Sequence, residues 1–299
     1  MSRPVGRRRA VTSTALLLAA LGTTSCLPGD ERPEPGRLFV TAEPNDATRE
    51  GFTTPDGWTV RLERFVTSVG QIRLSEDSCN AYGEPHYTWL FDFAVAGRAK
   101  AGLIYARGDC SMEFDFRWPG FDSPLGPGAT VQDREFMRIR GSDAYATDQP
   151  VSLIVRGAAA RGPTTKRFDW LFRHRYELTD CPATDGEGLV SHLELQGGDE
   201  LQRRIVVRAE ELFRSADFDE APLHFDAFAE ADADGDDRLT FAELADVPAP
   251  DATGLGAGGA APAPPAGEDL SLADLVYERL LGRIMLLDGG GTCEAELEN

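Results

Sequence analysis

Residues 166–178 read Lys-Arg-Phe-Asp-Trp-Leu-Phe-Arg-His-Arg-Tyr-Glu-Leu, and this stretch decides the fold class. Every second side chain is apolar or aromatic, and those between them are mostly charged. The first set consists of Phe168, Trp170, Phe172, Tyr176 and Leu178, with His174 in the same register. Because successive side chains of a strand point to opposite faces of a sheet, this period of two predicts one long strand with one buried face.

The same period recurs on both sides of that strand. The alternating runs are separated by turn signals such as Pro55-Asp56-Gly57. Further strands are predicted at 37–42, 58–74, 89–93, 101–106, 112–118, 151–157, 189–195 and 204–208. Many strands with one polar face and few helices indicate a mainly β chain, and we expect an antiparallel β-sandwich over residues 37–208.

A second stretch points to metal chemistry. Residues 232–243 read Asp-Ala-Asp-Gly-Asp-Asp-Arg-Leu-Thr-Phe-Ala-Glu. This spacing resembles the twelve-residue calcium loop of the EF-hand superfamily. The resemblance implies Ca²⁺ as the cofactor and residues 209–247 as a small α-helical EF-hand region. The implied ligands are Asp232, Asp234, Asp236, the backbone carbonyl of Arg238, Thr240 and Glu243.

The loop departs from the family pattern at two positions. Position six holds Asp237 where the family has glycine, because the chain turns there with positive φ. Asp adopts that left-handed region more readily than most residues, so we expect a strained loop rather than a lost one. Ala231 precedes the loop where the family usually has an aromatic residue. The sequence offers no second loop of this spacing, and the plain alternative is an acidic, solvated turn between two short helices.

The first residues resemble a bacterial lipoprotein signal. Four arginines begin the chain, residues 15–21 form a short apolar run, and Ser25-Cys26 follows. The resemblance implies a signal peptide over residues 1–26 that ends in a lipidated Cys26. Residues 27–36 would then tether a domain to a membrane of the bacterial cell envelope, facing the periplasm or the exterior. The alternative is ordinary signal cleavage near this point, with Cys26 left as a free thiol.

The remaining cysteines agree with export. The chain has five, and without Cys26 an even set is left: Cys79, Cys110, Cys181 and Cys293. An even number outside the cytosol indicates two disulfides, for which three pairings exist. We prefer Cys79–Cys110 within the sheet and Cys181–Cys293 at the C-terminus.

The charge of the chain restricts its partners. The 30 basic and 50 acidic residues give a formal net charge of −20. A surface of this sign repels nucleic acid phosphates, so we expect no nucleic acid partner. The expected partners are the membrane, through the lipid anchor, and an unknown protein or other component of the envelope.

A further resemblance concerns copper. Residues 63–74, Glu-Arg-Phe-Val-Thr-Ser-Val-Gly-Gln-Ile-Arg-Leu, resemble a segment of MbnP-like periplasmic copper-binding proteins, which are also β-sandwiches. Copper needs imidazole or thioether ligands. The four histidines, none paired with another at metal-ligand spacing, are His86, His174, His192 and His224. A periplasmic copper-binding protein is one alternative function.

The C-terminal part divides into two segments. Residues 248–269 are rich in Ala, Gly and Pro and are expected to form a mobile linker. Residues 270–299 are expected to form a C-terminal helix, up to residue 287, and a tail. The apolar stripe of this helix comprises Leu272, Leu275, Val276, Leu280, Ile284 and Leu287. Its packing partner stays open between the EF-hand region, in place of a second hand, and the sheet.

Catalytic signatures are not found in the sequence. It contains no HExxH, GxSxG, P-loop or GxGxxG motif, so we expect no enzyme, and an enzyme without a recognisable motif is a further alternative. The layout as a whole resembles bacterial lipoproteins of unassigned activity. The functional expectation is an exported, membrane-anchored, calcium-binding lipoprotein that acts as a binding or structural module.

Overall fold

The computed structural model describes residues 34–83, 87–184, 188–218, 220–250 and 270–298. All of them fall in one unit, Glu34–Asn299. The predicted signal peptide, Cys26 and most of the tether lie outside the described residues, as do His86 and most of the predicted linker. No helix among the described residues is long and apolar enough to cross a membrane.

The chain is mainly β, which confirms the predicted class. The strands, in chain order, are β1 Gly36–Pro44, β2 Phe52–Thr53, β3 Thr59–Ser75, β4 Asn80–Gly83, β5 Thr88–Asp92, β6 Ala99–Arg117, β7 Leu153–Arg161, β8 Thr164–Phe172, β9 Arg175–Thr179, β10 Ala183–Thr184, β11 Leu189–Val190, β12 Leu193–Leu195, β13 Glu200–Val207, β14 Arg238–Leu239, β15 Met285–Leu287 and β16 Glu294–Glu298. The runs predicted at 101–106 and 112–118 are one strand, β6.

The helices are short. The α-helices are α1 Asp46–Glu50, α2 Val131–Met137, α3 Asp226–Glu230, α4 Phe241–Ala245 and α5 Leu272–Asp274. A π-helical turn, Leu275–Leu280, continues α5, and 3-10 turns lie at Ala209–Phe213 and Leu281–Arg283. Helices α3 and α4 flank the acidic loop, where the sequence predicts two short helices.

The main sheet is curled, and most of its long strands are hydrogen-bonded in one continuous order. Its order is β14-β8-β7-β3-β6-β1-β13-β15, and β4, β9 and β12 also pair with β6. The pairs are antiparallel except β1 with β13 and β14 with β8, which are parallel. The antiparallel expectation therefore fails at these two pairs, and the two facing sheets of a sandwich stay a prediction.

Strand β3 bends where its register shifts. One shift, between Leu62 and Arg64, is against β7, and another, between Gly70 and Arg73, is against β6. Such bulges bend a strand and increase its twist. At Gly70 an added Cβ would come within 2.4 Å of the Thr88 Cα in β5. The close approach of β5 at this bend therefore requires a glycine.

The stretch 166–178 is two strands rather than the predicted one. The predicted set of buried side chains is nevertheless found, since Trp170 and Phe172 are buried in β8 and Tyr176 is buried in β9. The chain leaves its first pairing at Arg173, whose N–H donates to the Tyr277 hydroxyl at 2.7 Å instead of to a neighbouring strand. Strand β8 pairs with β7, whereas β9 pairs with β6 and β16.

The predicted C-terminal helix is also shorter than expected. Helical turns end at Arg283, and Met285–Leu287 form β15 because the free edge of β13 takes up their backbone groups. Residues Glu294–Glu298 of the predicted tail are strand β16. All six residues of the predicted apolar stripe are nevertheless buried. The sequence leaves two packing partners open, the EF-hand region and the sheet, and the segment packs on both. The Tyr277 ring lies 5.6 Å from Phe241 of α4 and 5.2 Å from Phe172 of β8.

One hydrophobic core joins all of these segments. It includes Trp170 of the sheet, Phe228 of α3, Leu244 of α4 and Tyr277 of the C-terminal segment. The preferred disulfides, Cys79–Cys110 and Cys181–Cys293, are both present. The residues assigned from the sequence to a sheet domain, an EF-hand region and a C-terminal helix thus share one interior.

Candidate metal centre

The acidic loop is entered from α3, which the sheet fixes at its first turn. Asp56, in the turn between β2 and β3, accepts hydrogen bonds from the N–H groups of Phe225 and Asp226, both at 2.7 Å. N–H groups at the start of a helix have no partner within it. Trp58 Nε1 also donates to Asp226 Oδ1 at 2.9 Å. The turn before β3 therefore orients the helix that leads into the loop.

The apolar sides of both flanking helices face the core. Phe225 and Phe228 are buried, and their rings stack with centroids 5.5 Å apart. Leu244 of α4 is fully buried, and the Phe241 ring lies 5.5 Å from Trp170. These aromatic contacts fix the two helices, and with them the two ends of the loop, against β8.

Two loop residues have left-handed backbone. Gly235 has a φ of +73° and Asp237 a φ of +62°. The EF-hand pattern requires positive φ at position six, which is the position of Asp237. This conformation costs an L-residue about 1–2 kcal/mol, and Asp tolerates it better than most. The expectation that Asp237 makes this turn despite the missing glycine is confirmed.

The aspartates at positions one, three and five converge. Ligand oxygens of Asp232, Asp234 and Asp236 lie within 4.8 Å of one another. Asp232 Oδ1 accepts hydrogen bonds from the N–H groups of Gly235 at 3.0 Å and Asp236 at 3.1 Å, and its Oδ2 accepts from Asp237 N–H at 3.1 Å. These bonds wrap the loop around Asp232. The result is a set of carboxylates that a divalent cation with a preference for oxygen can bridge.

Glu243 and Thr240 are engaged with each other rather than with this cluster. Glu243 Oε2 accepts hydrogen bonds from the Thr240 N–H at 2.9 Å and hydroxyl at 2.8 Å, and Thr240 Oγ1 accepts from the Glu243 N–H at 3.3 Å. This capping box begins α4. A cation held by both oxygens of Glu243 requires Oε2 to give up these hydrogen bonds.

The loop pairs with the edge of the sheet through β14. Arg167 N–H donates to the Asp237 carbonyl at 2.8 Å, and Trp170 Nε1 donates to the Leu239 carbonyl at 2.9 Å. Leu239, at loop position eight, is 2% exposed. The sequence offers no second loop for this loop to pair with, and strand β8 supplies the backbone pairing instead.

Sequence reasoning missed one residue of the site, Lys166 of β8. Its Nζ contacts Asp232 Oδ2 and lies 2.9 Å from Asp237 Oδ1. The side chain of Lys166 is 14% exposed and that of Asp232 is 0% exposed, so the ammonium group compensates a fully covered carboxylate. The hydrogen bond from Lys166 holds the pKa of Asp232 below its usual value against the opposing effect of burial. The bonds to Asp232 and Asp237 raise the pKa of Lys166.

The scarcity of lysine in the sequence draws attention to Lys166, but it does not predict the contact with Asp232. Lys100 and Lys166 are the only two lysines, and every other basic residue is arginine. The period of two places Lys166 on a strand. It does not reveal that residues more than sixty positions later pair with that strand.

The described histidines do not form a second centre, because each contacts a different part of the fold. The contacts are His174 Nε2 to the Tyr145 carbonyl at 3.1 Å, His192 Nδ1 to Asp109 at 4.0 Å and His224 Nε2 to Asp56 at 3.9 Å. In the described part of the chain, the three aspartates are the one group of His, Cys, Asp or Glu side chains close enough to share an ion.

Comparison of the chain with protein-family models gives no match, and comparisons with curated proteins and with solved structures give no significant match. Functional inference therefore depends on the residues and geometry of the site itself.

Proposed function

We propose that residues 232–243 bind Ca²⁺ and that the chain is an exported, membrane-anchored calcium-binding module. The observation that carries the proposal is the convergence of Asp232, Asp234 and Asp236 within 4.8 Å, in a loop with left-handed backbone at its sixth position. Carboxylates this close repel one another, and a divalent cation between them replaces the repulsion with attraction.

The remaining donors of the loop favour calcium over magnesium. Ca²⁺ takes six to eight oxygens at about 2.3–2.6 Å in a flexible geometry, whereas Mg²⁺ demands a near-ideal octahedron. The Arg238 carbonyl, Thr240 and Glu243 would complete the cage with mixed oxygens. In this proposal α3, the loop and α4 act as an EF-hand, β8 stands in for the second hand, and the strands of residues 37–208 act as a sandwich.

Calcium would give the loop a structural role at the edge of the sheet. The proposed ligands come from the end of α3, the loop and the start of α4, and β14 is hydrogen-bonded to β8. One ion would therefore tie both helices to the sheet and present a stiffened surface to an envelope partner. The membrane anchor is proposed from the sequence around Cys26.

A second candidate function has an observation of its own. Lys166 already neutralises Asp232 and contacts Asp237. The acidic loop would then be a metal-free ionic junction that fixes residues 209–247 to β8. The copper-binding alternative has no comparable support, because the described histidines lie apart.

Calorimetric titration of the full chain with CaCl₂ tests the calcium proposal. We expect one saturable site with a dissociation constant on the order of 0.1–1 mM, the range of extracellular calcium modules. Glu243→Gln should weaken binding at least about tenfold, which is about 1.4 kcal/mol. Gln keeps the hydrogen bonds of the capping box, so loss of binding would report the lost carboxylate rather than a lost helix.

Asp246→Asn is the matched control, because it removes the same charge three residues beyond the loop and should leave the affinity unchanged. The calcium proposal fails if the wild-type chain gives no saturable heat, or if Glu243→Gln binds as tightly as wild type.

A further inference from the structure

We propose that Lys166 is a built-in competitor for the cation: its ammonium group occupies the loop when calcium is absent and leaves when calcium binds. This inference rests on the proposed calcium function and concerns what regulates that same site. It assigns to β8 a residue that sets the calcium affinity of the loop without being a calcium ligand.

The position of Lys166 supports competition at the first ligand. Asp232 has two carboxylate oxygens, and both are already used: Oδ1 by two loop N–H groups, and Oδ2 by Asp237 N–H and Lys166 Nζ. Asp232 is the first ligand of the loop and its side chain is 0% exposed. A divalent ion next to this carboxylate would face a positive charge at hydrogen-bonding distance from the same oxygen, and like charges in that position repel strongly.

The chemistry of lysine makes the exchange possible. An ammonium group is a compact, strongly hydrated charge on a flexible four-carbon chain, so it can leave an ion pair for solvent. Lys166 is 14% exposed, which places its side chain at the surface end of the contact. The backbone bond from Arg167 N–H to the Asp237 carbonyl involves no lysine atom. The loop can therefore stay paired with β8 while Lys166 moves out.

Competition between Lys166 and calcium also explains how the covered carboxylate of Asp232 can belong to a loop that binds and releases an ion. Without calcium, Lys166 supplies the positive charge beside the Asp232 carboxylate, which also accepts hydrogen bonds from three loop N–H groups. With calcium, the ion takes over that compensation. The cost of removing Lys166 lowers the calcium affinity, so the loop would fill at higher concentrations of the ion.

Calcium titration of lysine variants tests the inference. Lys166→Met keeps an unbranched side chain, one atom shorter, and removes its charge, and we expect it to bind calcium at least about tenfold more tightly than wild type. Lys166→Arg keeps the charge and should bind more weakly than Lys166→Met. Lys100→Met, at the only other lysine and exposed on β6, should match wild type. A residue that merely supports the loop would give the opposite sign, since its removal weakens binding.

The outcomes separate the two proposals. Tighter binding by Lys166→Met than by a wild-type chain that itself shows saturable binding supports the competitor role. Equal or weaker binding by Lys166→Met, with wild type saturable, overturns the competitor role and leaves the calcium function standing. If neither protein binds calcium, the proposed function fails and the competitor role fails with it.

Amine acylation of the wild-type chain gives a second test that does not depend on a variant folding. Mass spectrometry would follow the labelling rates of Lys166 and Lys100 in the same sample, with and without CaCl₂. We expect calcium to raise the labelling rate of Lys166 several-fold and to leave Lys100 unchanged. A Lys166 rate that stays constant at saturating calcium would refute the displacement.

Discussion

Asp237 has both a left-handed backbone and a side chain that forms an ion pair. Its backbone has a φ of +62°, which favours glycine, and its carboxylate lies 2.9 Å from Lys166 Nζ. The local cost of left-handed backbone is therefore offset in part by an ion pair that glycine cannot make. This explains how the loop makes a left-handed turn at its sixth position without the glycine of the EF-hand pattern.

Comparison of Asp237→Gly with Asp237→Ala isolates the backbone contribution. Both variants lack the carboxylate, and they differ only by the Cβ that disfavours positive φ. We expect Asp237→Ala to be less stable than Asp237→Gly by about 1 kcal/mol, measured by urea unfolding without calcium. Equal stabilities, or a more stable alanine variant, would show that the residue does not hold a left-handed conformation in solution.

At the scale of elements, the loop is positioned by contacts with parts of the chain far away in sequence. The turn between β2 and β3 holds the start of α3 through Asp56, and β8 pairs with β14. Helices α3 and α4 have five residues each, too few to be stable alone in water. Their order therefore comes from the sheet, and damage to the sheet contact should reach the loop.

Asp56→Ala tests this dependence. It removes the acceptor of two N–H groups at the start of α3, and loss of a helix cap costs about 0.5–2 kcal/mol. We expect lower stability by about 1 kcal/mol in urea unfolding and weaker calcium binding in calorimetry. Asp122→Ala, at an exposed aspartate of another turn, is the control and should change neither. Unchanged stability of Asp56→Ala would show that Asp56 does not hold α3 in place.

The elements that the sequence predicts well are those set by local pattern. Period-two alternation locates most strands, and ligand spacing brings Asp232, Asp234 and Asp236 to one cluster. The elements it predicts wrongly depend on distant partners. The break at Arg173 depends on Tyr277, and the strand Met285–Leu287 depends on the free edge of β13. A helical stripe of apolar residues there does not reveal that an unpaired strand is near.

The candidate site also has features that the local sequence predicts and features that depend on distant residues. The spacing in residues 232–243 needs no tertiary information, because the proposed ligands belong to one continuous loop. Lys166 enters that loop only because β14 pairs with β8, and no local pattern encodes this pairing. The capping role of Glu243 follows from its spacing to Thr240, but that spacing is shared by a capping box and a calcium loop, so the sequence does not distinguish them.

At the scale of the whole molecule, the site is part of the fold rather than an appended module. Residues of the sheet, of α3 and α4 and of the C-terminal segment share one core, and Cys181–Cys293 joins positions 112 residues apart. A cross-link that closes about 100 residues removes roughly 4–5 kcal/mol of chain entropy from the unfolded state. Truncation of residues 270–299 would therefore remove β15, β16 and this disulfide, so point variants are the sharper probes of calcium binding.

A crystal structure of the chain with saturating CaCl₂ tests the central claim most directly. The account predicts one ion with six to eight oxygen ligands at about 2.3–2.6 Å, among them Asp232, Asp234, Asp236 and Glu243, with Lys166 Nζ withdrawn from Asp232. A loop that holds no ion under these conditions, with Lys166 still on Asp232 and Glu243 still capping α4, would contradict it.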